Sequence, residues 1–571
     1  MTQTRRRFLQ TTSLTAASVA LSCKRLLGQA AGGVSTLADA RIDILPSEPI
    51  GVIAPEIYSH FIEHLGGVIY DGVWVGERSK IPNRNGIRTA FIEAMRAVQA
   101  PVLRWPGGCF AESYDWRDGV GPAAKRPQRS AFWDQEDTNR YGTHEFMETC
   151  RAIGCQPYLA GDLRSLPASD FYQWIEYCNA PAGPNALATE RAANGDKDPF
   201  DVQYWGVGNE SWGCGGNLTP EEYGAKYRDF TTWYPRYGGE APAGAEPSRR
   251  RDLKLIACGP NGDDIAWTRG VLRSLTAAHL PYGLSVHYYT SGDAKRFAHG
   301  DALQFDDAQY YDLLTRGSYM ENVISNHWGA LAEVDTNHRV KLIVDEWGAW
   351  YGKSTELAGV ASGPQYNLSQ QSTMRDALLT GITLDIFQRH ADKVAMANVA
   401  QSINCIHSLM LAREDKFTVT PTFHVFQMYL PHRNAQSLRV EFSAPSIANT
   451  LAAVSPVGGN STTGSTAPAI RLAGLSGSAS LSSANGGKTL TLTVVNPHIN
   501  QPLTTEIALH GMAIASVKGT VLASASVHDH NDFDHPNAVR PTTATTGTAS
   551  GRRLMHTFPA ASVTMLQFAV S

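Results

Sequence analysis

The chain has 571 residues, with 49 Lys and Arg against 53 Asp and Glu and a formal net charge of −4. That length exceeds what one hydrophobic core supports and predicts at least two domains, while the balanced charge excludes the basic footprint of a nucleic-acid binder. Twelve Trp and 21 Tyr suit a carbohydrate ligand, whose C–H faces stack on flat rings, although a large core would use them equally well.

At the N-terminus, Thr4-Arg5-Arg6-Arg7-Phe8-Leu9-Gln10 reads as a twin-arginine export signal. The uncharged run from Thr11 to Ser22 is too short and polar for a permanent membrane span, so no stable membrane insertion is expected. Gly28-Gln29-Ala30 offers a cleavage site. Residues 1–30 are therefore predicted as a signal peptide, and the protein is expected to be periplasmic or extracellular. Ala20-Leu21-Ser22-Cys23 makes a poor lipidation motif. The eight cysteines include no C-x-x-C pair, and an odd number remains after cleavage, so no disulfide framework is predicted. Cys150 and Cys155 are close enough in sequence to pair, but read better as buried thiols.

Eight short apolar runs then recur, most of them ending in polar or small residues: Gly51–Phe61, Pro101–Gly107, Gln156–Asp162, Val202–Glu210, Lys254–Pro260, Leu284–Tyr289, Lys341–Trp347 and Ala397–Ile403. Helical stretches lie between them, among them Arg88–Val98, Thr143–Ile153, Pro220–Tyr234, Trp267–Ala278 and Ser369–His390. This alternation predicts the α/β class, as a (β/α)8 TIM barrel over residues 51–425. An open doubly wound sheet is the alternative, but Gly206-Val207-Gly208-Asn209-Glu210-Ser211 lacks the third glycine of a dinucleotide turn. In such barrels the active site lies at the C-terminal ends of the strands. Those ends carry His60, Glu63, His64, Arg104, Cys109, Asp162, Asn209, Glu210, Asn261, His287, Tyr289, Glu346 and Gln401.

Beyond Pro421 the helical period stops. Strand-like segments appear at Ser437–Phe442, Ala469–Leu475, Thr489–Val495, Thr505–Leu509 and Ser562–Phe568, separated by Gly/Ser/Thr-rich loops at Thr462–Ser465 and Ser476–Gly487. Residues 426–571 are predicted as an all-β sandwich. The strand-like Arg41–Leu45, within an N-terminal segment 31–50, is expected to complete it.

Glu210 ends the fourth run and Glu346 is the last but one residue of the seventh, and a closed barrel places these two tips across its mouth. Hydrolysis of a glycosidic bond needs such a pair, one carboxylic acid to protonate the leaving oxygen and one carboxylate to attack the anomeric carbon. Burial and the charge of Glu346 are expected to raise the pKa of Glu210, while Arg104 and Tyr289 keep Glu346 ionised. No metal and no cofactor is expected, since the first run offers Tyr58-Ser59-His60 and no His-x-His pair.

Arg104-Trp105-Pro106-Gly107-Gly108-Cys109-Phe110 and Tyr114–Pro122 resemble the α-L-arabinofuranosidases of glycoside hydrolase family 51. So do Glu63-His64-Leu65-Gly66, Trp205–Glu210, His287-Tyr288-Tyr289, Asp345-Glu346-Trp347 and Ala397–Gln401. The resemblance runs in order from about residue 40 to the C-terminus. It implies a retaining, exo-acting enzyme with acid/base Glu210 and nucleophile Glu346. It also implies that Glu63, Arg104, Cys109, Asn209, Tyr289 and Gln401 line a pocket for a terminal arabinofuranose, and His287 reads as an orienting hydrogen-bond donor. The expected partner is a plant cell-wall polysaccharide or oligosaccharide of arabinan or arabinoxylan type, and homo-oligomer formation is left open. Another activity of the same clan, a β-xylosidase or endoglucanase, is the alternative. The loop Ser211-Trp212-Gly213-Cys214-Gly215-Gly216-Asn217 departs from the text of many bacterial members, which puts linkage preference in doubt. Finally, His528-Asp529-His530-Asn531-Asp532-Phe533-Asp534-His535 looks like a metal site, with His528 and His530 on one strand face, but its place in the sandwich argues against function.

Overall fold

The computed structural model describes residues 38–237, 253–291, 300–352, 368–447, 450–451, 470–484 and 487–571. The predicted signal peptide and the loop Thr462–Ser465 lie outside the described residues. Among the described residues no helix is long and apolar enough to cross a membrane.

Eight strands form a closed, all-parallel ring in chain order: Ser59–Phe61, Val102–Trp105, Gln156–Gly161, Tyr204–Val207, Lys254–Ala257, Gly283–Thr290, Lys341–Ala349 and Val394–Val399, the last pairing with the first. Their near-continuous apolar character follows from burial on both faces. Val102, Tyr158, Tyr204, Ile256, Ile343 and Met396 fill the interior as one layer. The period of two then dictates what lies above it. Two residues on from Val102, Ile343 and Met396 stand Arg104, Asp345 and Asn398, which form a polar layer with Tyr158. Asn398 Nδ2 and the Tyr158 hydroxyl donate to Asp345 at 2.7 and 2.8 Å, and Arg104 Nε lies 3.5 Å from the same carboxylate.

Strict alternation would turn Glu346 away from this interior. The pairing of the sixth and seventh strands shifts instead, from Val286↔Val344 to His287↔Glu346, leaving Asp345 as an extra, bulged residue. Such a bulge re-aims the side chains that follow it. Asp345 thereby enters the polar layer while Glu346 still reaches the mouth.

Ten further strands build a sheet that curls around a second core containing Ile42, Ile44, Leu490, Leu492, Leu566 and Phe568. Its N-terminal strand is Ala40–Val52, antiparallel to Gln436–Ser443 and parallel to Leu503–Leu509. The expected run Gly51–Phe61 is thus divided: Gly51 and Val52 belong to the sheet, a 3-10 turn spans Pro55–Tyr58, and only Ser59–Phe61 enters the barrel. The expected loop Ser476–Gly487 is largely the strand Ser476–Ala484, between Gln436–Ser443 and Gly487–Asn496. Small residues serve there because the strand packs tightly; a Cβ on Gly477 would lie 2.0 Å from Thr493 O. The segment expected at Ala469–Leu475 contributes only Ile470–Arg471, paired with Thr450–Leu451 outside the large sheet.

Helix Met374–Arg389, buried from Met374 through Gln388, lies between the two cores. Its Asp385 accepts hydrogen bonds from Ser478 Oγ at 2.8 Å, Thr493 Oγ1 at 2.6 Å and the Tyr429 hydroxyl at 3.0 Å.

Candidate active site

Glu210 follows the fourth strand at φ +42°, after Gly208 at φ +81°. A left-handed backbone at a glutamate is held only by its surroundings. Gly213 and Gly215 donate their N–H groups to Glu210 O at 2.7 and 3.0 Å. Glu112, which the sequence reading missed, accepts the N–H of Asn209 on one oxygen. Its other oxygen accepts the N–H groups of Leu163 and Arg164 at 2.9 and 2.7 Å. One buried carboxyl thus ties the ends of the third and fourth strands together, and burial with nearby Asp162 pushes its pKa up to about 8.

Across the mouth, Arg104 Nη1 donates to Glu346 Oε1 at 2.7 Å, and the Tyr289 hydroxyl donates to Oε2 at 2.8 Å. Arg104 Nη2 donates to Asn209 Oδ1, also at 2.7 Å. His287 Nδ1 lies 3.0 Å from Glu210 Oε1 and 3.5 Å from Glu346 Oε2. One carboxyl oxygen from each glutamate and one His287 nitrogen fall within 4.8 Å of one another. That bound lies below the roughly 6.5–9.5 Å of an inverting pair, on the retaining side.

The two carboxyls are pushed apart in pKa. Burial raises Glu210, opposed by the His287 hydrogen bond and reinforced by the charge of Glu346. Burial also works against ionisation of Glu346, but His287, Arg104 and Tyr289 outweigh it and hold that group below the usual carboxylate range. Burial and then Glu346 push Glu63 up to about 7.

Glu63 forms the next wall. Its Oε1 accepts the N–H groups of Gly108 and Phe110 at 3.0 and 3.1 Å, and Gln401 Nε2 donates to Oε2 at 3.3 Å. Trp133 works against that rise in Glu63; its place on a long connecting loop gave no sequence signal. Gly107-Gly108 lets the chain pass close by, since a Cβ on Gly108 would lie 2.8 Å from Glu346 Oε1. Burial grades across the site: Glu63, Arg104, Asn209, His287, Tyr289, Glu346 and Gln401 are buried, whereas the Glu210 side chain keeps 18% of its surface exposed. The nucleophile candidate lies deep and the acid candidate nearer solvent.

Cys109 joins this group in a way its spacing did not reveal. It is disulfide-bonded to Cys214 across 105 residues of sequence. Cys150 and Cys155 are free and buried.

Other residues at strand ends stand outside the site. His60 is buried with both ring nitrogens unpaired and its pKa lowered to about 3 by burial. His64 pairs with Asp137 and accepts the indole N–H of Trp105 at 3.0 Å. Asp162 accepts from Ser165. The His528–His535 stretch is irregular rather than a strand, with His530 alone in an isolated bridge to Thr373. His528 stacks on Phe305 at 4.0 Å, His530 Nδ1 lies 2.9 Å from His528 O, and His535 pairs with Asp532. Among the described residues, the groups of three with metal-ligand spacing are Glu210–His287–Glu346 and Cys109–Glu210–Cys214. In the first, Arg104 already supplies positive charge to Glu346; in the second, both sulfurs are tied in the disulfide.

The chain matches the family models "Alpha-L-arabinofuranosidase 1 domain" over residues 94–293 and "Alpha-L-arabinofuranosidase C-terminal domain" over residues 345–562. It is 33% identical over 541 residues, 94% of each chain, to an intracellular exo-α-L-arabinofuranosidase of Bacteroides ovatus. It is 30% identical to an intracellular exo-α-(1→5)-L-arabinofuranosidase of Streptomyces lividans, over 71% of this chain and 59% of that one. Its fold is similar to the crystal structure of the family 51 arabinofuranosidase of Xanthomonas axonopodis pv. citri, with a TM-score of 0.81, 34% identity, and coverage of 93% of this chain and 100% of that one. The names of the first two relatives correct one expectation. Both are called intracellular, which overturns the export inferred from an N-terminal stretch outside the described residues. Relatives, fold and barrel-mouth chemistry agree: the chain belongs to glycoside hydrolase family 51, the α-L-arabinofuranosidases.

Proposed function

We propose that this enzyme releases terminal α-L-arabinofuranosyl residues from arabinan and arabinoxylan chains by double displacement, with Glu346 as nucleophile and Glu210 as general acid/base. The observation that carries the proposal is the approach of the two carboxyls within 4.8 Å, with opposite pKa shifts. In the first step a Glu346 oxygen attacks the anomeric carbon as Glu210 gives its proton to the departing glycosidic oxygen. The bond to the leaving sugar breaks and a glycosyl ester forms on Glu346. That esterification removes the negative neighbour of Glu210, which then takes a proton from water as the water attacks the same carbon and frees Glu346.

The remaining roles follow from the side chains. Asn209, oriented by Arg104 at 2.7 Å, suits the 2-hydroxyl, where a hydrogen bond strengthens as positive charge develops on the ring. Glu63 and Gln401 supply an acceptor and an amide for the outer hydroxyls. Tyr289 and Arg104 keep Glu346 ionised, His287 orients Glu210, and Cys109 forms part of the wall. The depth of Glu346 beneath a partly exposed Glu210 suits a pocket for one terminal residue. The linkage in the name of the Streptomyces lividans relative supports arabinan among the substrates.

A panel of nitrophenyl glycosides tests the sugar assignment. The arabinofuranoside is expected to be cleaved far faster than the xyloside or cellobioside. Comparable rates on the xyloside would favour a β-xylosidase instead.

A further inference from the structure

The disulfide Cys109–Cys214 joins two loops that arise from different barrel strands. Cys109 begins the 3-10 turn after the second strand, and Cys214 lies in the turn after the fourth, with their Cα atoms 5.6 Å apart. Both sulfurs face the acid/base. Sγ of Cys109 and Sγ of Cys214 lie 3.6 and 3.5 Å from Glu210 Oε2, the oxygen not taken by His287. Asn209 Nδ2 lies 3.9 Å from Cys214 Sγ. The wall beside the acid oxygen is therefore built from two atoms that, as a disulfide, carry neither proton nor charge.

This bond is also within reach of a reductant. Its Cys214 end is half-buried, whereas its Cys109 end and the described free thiols, Cys150, Cys155, Cys178, Cys258 and Cys405, are buried. Exposed disulfides are the ones a thiolate attacks readily.

We propose that the Cys109–Cys214 disulfide is a redox-labile brace for Glu210 and its loop, and that opening it slows hydrolysis of sugar–sugar bonds while sparing aryl glycosides. The proposal rests on Glu210 being the general acid. A dithiol opens the bond in two exchanges. Its first thiolate attacks one sulfur to form a mixed disulfide and expel the other cysteine. Its second thiolate then closes the reagent into a cyclic disulfide. Two electrons and two protons pass to the protein, leaving two cysteine thiols.

Two consequences follow for the site. The turn carrying Cys214 loses its covalent tie to the second-strand loop. Each new S–H can also donate towards Glu210 Oε2, which favours the carboxylate over the acid. The other groups facing Glu210, namely His287, Glu346, Arg104, Tyr289 and the Cys258 thiol, are unchanged by the exchange. Bonds to a sugar leaving group need the proton, whereas a nitrophenolate departs without it.

The folded enzyme is treated with dithiothreitol, freed of excess reagent, and its accessible thiols are counted. Two more thiols than in the untreated protein are expected. On an arabino-oligosaccharide, kcat/KM is expected to fall by about tenfold or more, with a change of less than about twofold on nitrophenyl arabinofuranoside. Reoxidation is expected to restore the oligosaccharide rate. The variant Cys214→Ala, which removes the tie but keeps Cys109 in the pocket wall, is expected to show a lowered oligosaccharide rate without reductant and no response to it, with thermal melting reporting its fold. The proposal is overturned if no new thiols appear, if they appear without loss on the oligosaccharide, or if both substrates lose equally. A failure of the underlying assignment is distinguishable, because Glu210→Ala would then not separate the two substrates either.

Discussion

The Tyr289 hydroxyl donates to Oε2 of Glu346 at 2.8 Å while Arg104 Nη1 holds Oε1 at 2.7 Å, so each oxygen of that buried carboxylate meets a donor. Tyr289→Phe removes one donor and keeps the ring. A hydrogen bond to a charged group is worth about 1.5–3 kcal/mol, and kcat/KM is expected to fall by about tenfold to a hundredfold. Since the lost donor favoured the charged form, the pKa of Glu346 rises. The acid limb of the kcat/KM profile then moves to higher pH; an acid limb that stays in place contradicts this role for Tyr289.

Gly108 is under a different constraint. A Cβ there would sit 2.8 Å from Glu346 Oε1 and 3.5 Å from Asn209 Nδ2. The terminus of a free side chain could swing aside, but Oε1 is held by Arg104 and has to break that pair to move. Displacements near 1 Å at a reacting group cost about a hundredfold in rate, so Gly108→Ala is expected to lose at least about that much. Steady-state kinetics on nitrophenyl arabinofuranoside provide the check, and activity within about threefold of the parent would mean that the site relaxes freely.

Between the barrel and the sheet, burial pushes Asp385 up to about 7 despite its three hydroxyl donors. In the unfolded chain the same group titrates near its ordinary value of about 3.9. The folded pKa is the higher, so its contribution is fully present below the unfolded value and is lost as pH rises through about 7. Asp385→Asn keeps the shape and removes the titration. Its melting temperature is expected to decline less than that of the parent between about pH 5 and 8. Identical pH slopes for the two proteins would show that Asp385 does not titrate in this window.

The barrel was legible because strands buried on both faces write themselves as apolar runs ending in polar residues, and its eight runs each overlap a strand of the ring, the eighth only at Ala397–Val399. Glu210 and Glu346 were visible for the same reason, at the tips of two such runs. What stayed hidden was set by irregular backbone. The expected strand covers only Arg41–Leu45, yet Ala40–Val52 runs on through Pro46 and Pro49 by register shifts between Leu45, Pro49 and Gly51. The strand Ser476–Ala484 has the Ser- and Gly-rich composition of a loop because its small side chains serve close packing. Neither the bulge at Asp345 nor the 105-residue link from Cys109 to Cys214 leaves a periodic trace. Glu112 is a lone acid in a short turn, and only the fold shows it pairing with the backbone of Asn209.

The division of labour between Glu346 and Glu210 is tested most directly by trapping the intermediate. Glu210→Ala retains the nucleophile but has no base to activate water, so with nitrophenyl arabinofuranoside the glycosyl ester is expected to form quickly and hydrolyse slowly. Intact-protein mass spectrometry during turnover is predicted to show one pentosyl unit per chain, and peptide mapping is predicted to place it on Glu346. An adduct on any other residue, or no adduct together with substantial turnover by Glu346→Ala, would contradict the account.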